Sequence, residues 1–173
     1  MSCDDEAFLL ALLNTSPVID GAVRDVLSVR ADGLAWLREH GLASTTGEWK
    51  ALRAARDDLQ AVARGDSSPA VLAGWLDGVS RRPSVVGEGV AWQLDLPAGR
   101  TAAALAVLAW DSVRRASPGR LRPCANPECR LFLVDHSKPN SARWCSMAAC
   151  GNRIKARRHY ERERGKAQAE DAR

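Results

Sequence analysis

Apolar residues recur at helical spacing through most of the first two thirds of the chain. Phe8, Leu9, Leu12 and Leu13 form one such face, and Pro17 breaks it. A second helix fits residues 32–40, with Asp32 as N-cap, Leu34, Trp36 and Leu37 as its apolar side, and Gly41 as its stop. A longer helix fits 47–64, where Trp49, Leu52, Ala55, Leu59 and Val62 keep the spacing and Gly65 ends the run. Ser68-Pro69 is a start signal, a capping hydroxyl followed by proline at the first helical position. Val71, Leu72, Trp75, Leu76 and Val79 follow, and Arg81-Arg82-Pro83 is expected to close that helix. Residues 84–96 change period. Val90, Trp92, Leu94 and Leu96 alternate with their neighbours after Gly87 and Gly89, which predicts a β-hairpin with the glycines at its turn. Residues 101–115 form an alanine-rich apolar helix expected at the centre of the core, and Ser117-Pro118-Gly119 reads as a linker.

Composition adds little to this picture, but charge changes it. The chain has 173 residues, 46% of them apolar, enough for a medium domain plus a small one. No run of about 18 apolar residues suggests a transmembrane helix. The start, Met1 to Glu6, is acidic where a secretory leader would be basic. A soluble cytoplasmic protein without membrane partners is expected. The net charge of +4 conceals an asymmetry. Residues 1–119 hold 12 Lys/Arg against 15 Asp/Glu, net −3, whereas residues 120–173 hold 13 against 6, net +7. Such a split directs the basic part toward nucleic acid or another anionic surface.

The basic part also holds four of the five cysteines, spaced Cys124-x4-Cys129-x15-Cys145-x4-Cys150. Two close pairs on either side of a short hairpin suit one structural zinc ion, which takes four thiolates in a closed tetrahedron. Asn126-Pro127 supplies the turn between the first pair. Residues 131–135 read as a strand, 136–141 as its turn and 142–145 as the return strand. Ser146 is a good N-cap, which puts Cys145 just before a helix and Cys150 at its fourth position. Those two places face each other across a helix start. A disulfide pair or an iron site are the competing readings of the same cysteines. The expected fold is therefore mainly α with a small β-hairpin (α+β). A helical domain over 1–118 precedes a treble-clef-like zinc finger over 119–164, and residues 165–173 form a frayed tail.

The helix after Cys150 has almost no apolar stripe beyond Ile154. A helix polar all round is held by side-chain pairs or reaches through solvent toward a partner. Its excess positive charge calls for anions, and phosphates are the obvious supply. The candidate nucleic-acid contacts are Asn152, Arg153, Lys155, Arg157, Arg158 and Arg162 on the helix, with Lys138 and Arg143 on the hairpin. DNA is the expected partner; RNA, or an acidic protein held by a zinc-scaffolded module, are the alternatives. No nucleophile–base pair or open metal position is visible, so an enzyme is not expected.

The stretch from Cys145 to His159 resembles the CGNR zinc-finger family, whose namesake motif stands intact as Cys150-Gly151-Asn152-Arg153. Cys124-Ala-Asn-Pro-Glu-Cys129 and Arg143-Trp144 are similar to that family too. Upstream, Leu12-Leu13-Asn14-Thr15, Leu34-Ala-Trp36-Leu37, Gly41-Leu42 and Leu52-Arg-Ala-Ala-Arg56 resemble the ABATE domain that usually accompanies this finger. The resemblance implies a bacterial, stress-linked transcription regulator. A small-molecule effector of the N-terminal domain is a further expectation, and a homodimer is expected by analogy with DNA regulators that pair half-sites. It implies that Gly151 permits close packing beside the metal. Asn152 and Arg153 then either bond the knuckle backbone and neutralise the thiolates, or contact DNA.

Overall fold

In the computed structural model, which describes residues 3–171, about half of the chain is helical and the strands form three small antiparallel pairs. Helix α1 (Cys3–Leu13) buries Leu9, Leu12 and Leu13 completely. A two-residue pair, β1 (Val18–Ile19) with β2 (Ala22–Val23), leads to α2 (Arg30–Glu39). Helix α2 begins earlier than expected: Val29 is its N-cap, and Asp32 lies inside the first turn, where its charge still complements the positive end of the helix. Gly33 of α2 lets α3 approach, because a Cβ there would lie 2.3 Å from Cδ1 of Trp49, whose indole N–H is fixed on the Leu27 carbonyl at 2.9 Å.

Helix α3 (Thr46–Arg64) starts on Thr45, whose hydroxyl accepts the Glu48 N–H, and ends on Gly65 at φ +84°. Thr45 and Glu48 have the spacing of a capping box, yet the Glu48 side chain turns to another helix. Its carboxylate is buried and accepts the N–H groups of Thr101 and Ala102 at 3.0 and 2.9 Å. It thereby caps α4 (Thr101–Ala116), whose own N-cap residue, Arg100, offers no side-chain acceptor. The buried alanines 102, 103, 104, 106 and 109 keep α4 slim, and α1 and α3 both pack against it.

Between α3 and α4, Ser68 caps a 3₁₀ helix, Pro69–Leu76. That helix stops at Leu76, and Arg81-Arg82-Pro83 does not close it. Those three residues belong to strand β3 (Ser80–Val86), which pairs with β4 (Gly89–Asp95) in a ribbon longer than the expected hairpin. Proline is tolerated because β3 is an edge strand, and Pro83 lies opposite Trp92. Gly87 at φ +59° opens the two-residue turn.

One buried ion pair ties the loop before α2 to α3. Arg56, almost fully buried, reaches Asp25 through both carboxylate oxygens at 2.5 and 2.9 Å and also donates to Thr15 Oγ1 at 3.0 Å. Burial pushes the Asp25 carboxyl up, but the Arg56 hydrogen bonds and charge outweigh it and hold the group below the usual carboxylate range.

After the turn at Ser117–Gly119, β5 (Leu121–Pro123) pairs with β6 (Phe132–Val134). Phe132 and Val134 join the same apolar cluster as the helices. Asn14 clamps β6 in place: its side-chain oxygen accepts the Phe132 N–H at 2.7 Å, and its NH₂ donates to the Phe132 carbonyl at 3.2 Å. Residues 142–145 are not the return strand that their pattern suggested. The partner of β6 is β5, which precedes the first cysteine pair. The segment after β6 is closed by a side chain instead: buried Asp135 accepts the N–H groups of Ser137 and Ala142 at 2.7 and 2.8 Å. The Ser137 hydrogen bonds hold the Asp135 carboxyl below its usual range. A π-helical turn, Met147–Gly151, then opens α5 (Asn152–Asp171).

Candidate metal centre and basic helix

The β5–β6 hairpin carries the first cysteine pair in its connection. Cys124 follows β5 directly, and its N–H bonds the Leu131 carbonyl at 2.8 Å. Cys129 N–H bonds the Asn126 carbonyl at 2.8 Å, which folds the intervening residues into a knuckle with both sulfurs on one side. The second pair brackets the start of a helix, as the spacing implied. Ser146 is the N-cap, with Oγ accepting the Ala149 N–H at 3.0 Å. Both Cys150 and Gly151 N–H groups reach the Ser146 carbonyl, at 3.1 and 3.0 Å. That wider turn is a π-bulge, a form that recurs at functional sites. It brings Cys150 round toward Cys145.

The four Sγ atoms lie within 4.8 Å of one another. Cys129 and Cys145 Sγ are 3.8 Å apart, and Cys145 and Cys150 Sγ 3.6 Å. A tetrahedron with zinc–sulfur bonds of about 2.3 Å has edges of about 3.8 Å. The donor set and its spacing therefore fit one zinc ion, held by Cys124, Cys129, Cys145 and Cys150. Backbone donors surround the sulfurs: Leu131 N–H points at Cys129 Sγ (3.5 Å) and Cys145 N–H at Cys124 Sγ (3.4 Å). Such donors offset the charge that four thiolates bring to one ion.

Asn126 is the residue that pattern reading undervalued. It is only 1% exposed. Its Nδ2 donates to Cys150 Sγ at 3.5 Å, while its Oδ1 accepts the Glu128 N–H at 3.2 Å. One side chain thus shapes the knuckle and touches a ligand from the opposite cysteine pair. Burial and crowding by the neighbouring thiols push Cys129 up to about 11 and Cys145 up as well. Burial also opposes ionisation of Cys150, but hydrogen bonds from Asn126 and the other thiols win and lower it. Cys150 is therefore better prepared to ionise than Cys129 or Cys145, and zinc must displace protons from those two.

Gly151 sits against Trp144 and Met147. A Cβ there would lie 3.3 Å from Trp144 Cδ1 and 2.6 Å from the Met147 sulfur. Methionine can move, whereas the indole sits next to a ligand, so the close packing expected at Gly151 is present. His136 Nε2 lies 2.6 Å from Glu6 Oε1, a hydrogen bond that ties the loop after β6 to α1.

The structure separates the expected nucleic-acid contacts. Asn152, Arg153 and Lys155 are exposed in the first turn of α5, and among the described residues the side chains of Asn152 and Arg153 have no hydrogen-bond partner. Arg157 is half-buried and paired with Glu128 of the knuckle at 3.1 Å. Arg143 is exposed, its guanidinium 5.6 Å from the Trp144 ring centre. Lys138 is exposed in the loop that Asp135 closes, and Arg162 is exposed further along α5. Arg158 lies in α5, and its side chain is outside the described residues. Ile154, almost fully buried, anchors the helix, whose main contact is with the π-turn before it. No helix among the described residues is long and apolar enough to cross a membrane.

No curated protein matches the chain. Residues 120–163 match the CGNR zinc finger family, and the four cysteines within that segment form its site for one zinc ion.

Proposed function

We propose that this chain is a DNA-binding transcription regulator in which zinc sets the direction of a basic recognition helix. The finger is treble-clef-like in this reading: a knuckle on a hairpin, then a π-turn that holds the last ligand and leads into a helix. One observation carries the proposal. Cys150 lies in the π-turn that leads directly into α5, and the first turn of α5 presents Asn152, Arg153 and Lys155 to solvent. Metal and presented cations are thus a few ångströms of backbone apart. A helix of this diameter fits the major groove, about 12 Å wide. Arginine is suited to guanine or phosphate, and asparagine to adenine. Lys138 and Arg143 on the same finger supply further phosphate contacts.

The exposure of Asn152 and Arg153 favours contact with a ligand over service to the knuckle, a role that Asn126 already fills. Arg157 has the opposite character, since its pairing with Glu128 braces the helix against the knuckle. The helical region before the finger takes the part of an ABATE-like sensor in this proposal. An open groove of about 520 Å³ beside α4, lined by Phe8, His40, Leu42 and Leu105 among others, is where an effector would sit. The test is fluorescence anisotropy with labelled duplexes and the zinc-loaded chain. Arg153→Ala with Lys155→Ala should weaken DNA binding at least tenfold. Equal binding by that variant and the wild type, or a preference for duplex RNA over DNA of equal length, would refute the proposal.

A further inference from the structure

The β3–β4 ribbon stands away from the core with an amphipathic pattern that nothing described in the chain covers. Its register places Pro83 opposite Trp92 and Val85 opposite Val90. Cross-strand partners share a face, so these four side chains line one side of the ribbon. The other side carries Ser80, Ser84, Gln93 and the Arg82–Asp95 ion pair, with Ala91 among them and the exposed Val86 beside the turn. The apolar side faces solvent: Val85 is 82% exposed, and Val90 and Trp92 are 61% exposed. Proteins seldom leave a contiguous apolar strip bare without a use for it, and a two-stranded ribbon is marginal in water by itself.

Edge pairing is discouraged on the β3 side. The two-residue turn makes Val86 and Gly89 a hydrogen-bonded pair, so Pro83 and Trp92 form a non-hydrogen-bonded pair. The Pro83 nitrogen then faces outward and offers no donor at the middle of that edge. The face, rather than this edge, is left for contact.

Charge indicates the occupant. Arg81 lies at the base of the ribbon on the apolar side, and Glu88 lies at its tip. Among the described residues neither has a hydrogen-bond or ion-pair partner. If two identical ribbons pack face to face and antiparallel, the tip of each meets the base of the other. Glu88 then meets Arg81 twice, Trp92 meets the apolar strip of its copy, and no like charges are opposed. We propose that the apolar face of the β3–β4 ribbon is the contact surface for a second copy of this chain, packed antiparallel about a two-fold axis. Such a contact is isologous and closes on itself. The exposed apolar strip offers on the order of 400 Å² per protomer, about half of a standard interface. The dimer is therefore reversible and concentration-dependent. It does not depend on the nucleic-acid reading.

The experiment is sedimentation equilibrium of the zinc-loaded full chain across a wide concentration range. The wild type should show a monomer–dimer equilibrium. Trp92→Ser should raise the dissociation constant at least tenfold, while Gln93→Ser, on the opposite face of the same strand, should leave it unchanged. Arg81→Glu should weaken the dimer, and adding Glu88→Arg should restore it; circular dichroism checks that each variant keeps its fold. A monomer at every concentration, a dimer indifferent to Trp92→Ser, or a charge swap without rescue would overturn the proposal.

Discussion

Replacing Asn126 tests whether the zinc site is built by four cysteines alone or also by the side chain behind them. In Asn126→Ala, Cys150 Sγ loses its 3.5 Å N–H donor and Glu128 N–H loses its 3.2 Å acceptor. The Glu128 loss is small because that residue is exposed and water can replace the oxygen. The sulfur side dominates, since Asn126 and Cys150 are both buried. Removing a group that supports a metal ligand typically costs 10–100-fold in metal affinity, or about 1.4–2.8 kcal/mol. Asn126→Asp sharpens the test. It keeps the acceptor for Glu128 but turns an acceptor and a negative charge toward a thiolate. Zinc affinity, measured by competition with a chromophoric chelator at fixed pH, should fall in the order wild type, Ala, Asp. Affinities within about twofold of each other, or tighter binding by Asp than by Ala, would refute the reasoning.

Two further predictions concern the helical region. Glu48→Ala uncaps α4 by removing two charge-assisted hydrogen bonds from a buried site; about 2–4 kcal/mol of stability, or a Tm lower by about 5–10 °C, should be lost, and a shift under 2 °C would contradict the capping role. The Asp25–Arg56 pair predicts a pH dependence. Because folding lowers the Asp25 pKa, its stabilisation is present above the usual carboxylate value of about 3.9 and is lost as pH falls through the lower folded value. Chemical denaturation from pH 6 to pH 3 should therefore show wild type and Asp25→Asn converging below about pH 4, whereas a constant gap would contradict the linkage.

The helices were legible because periodicity and local caps agree with the packing. Pro17, Gly41, Gly65 and Ser68-Pro69 all punctuate the chain where the elements change. The cysteine pairs were legible because thiol spacing and a helix N-cap at Ser146 are local signals. What the chain pattern hid was long-range. Glu48 looks like half of a capping box for α3, but it caps α4, more than 50 residues away. Asn14 follows α1 with no local sign of a distant partner, but it holds Phe132 of the finger. Residues 142–145 resemble a strand by composition, yet Asp135 closes that loop with its side chain and leaves β5 as the partner of β6. Pro83 argued for a boundary, but an edge strand accommodates it. In each case one buried polar group, or one free edge, decided against the local preference.

The claim that zinc aims a basic helix at DNA is tested most directly by the salt dependence of duplex binding, with and without the metal site. Each phosphate contact should contribute about −0.9 to the slope of log K against log salt. Contacts from Lys138, Arg143, Arg153 and Lys155 together predict a slope of about −3 to −4 for the zinc-loaded chain. Cys145→Ser should abolish high-affinity binding while α1 to α4 stay folded. A flat salt response, or undiminished binding by Cys145→Ser, would contradict the account.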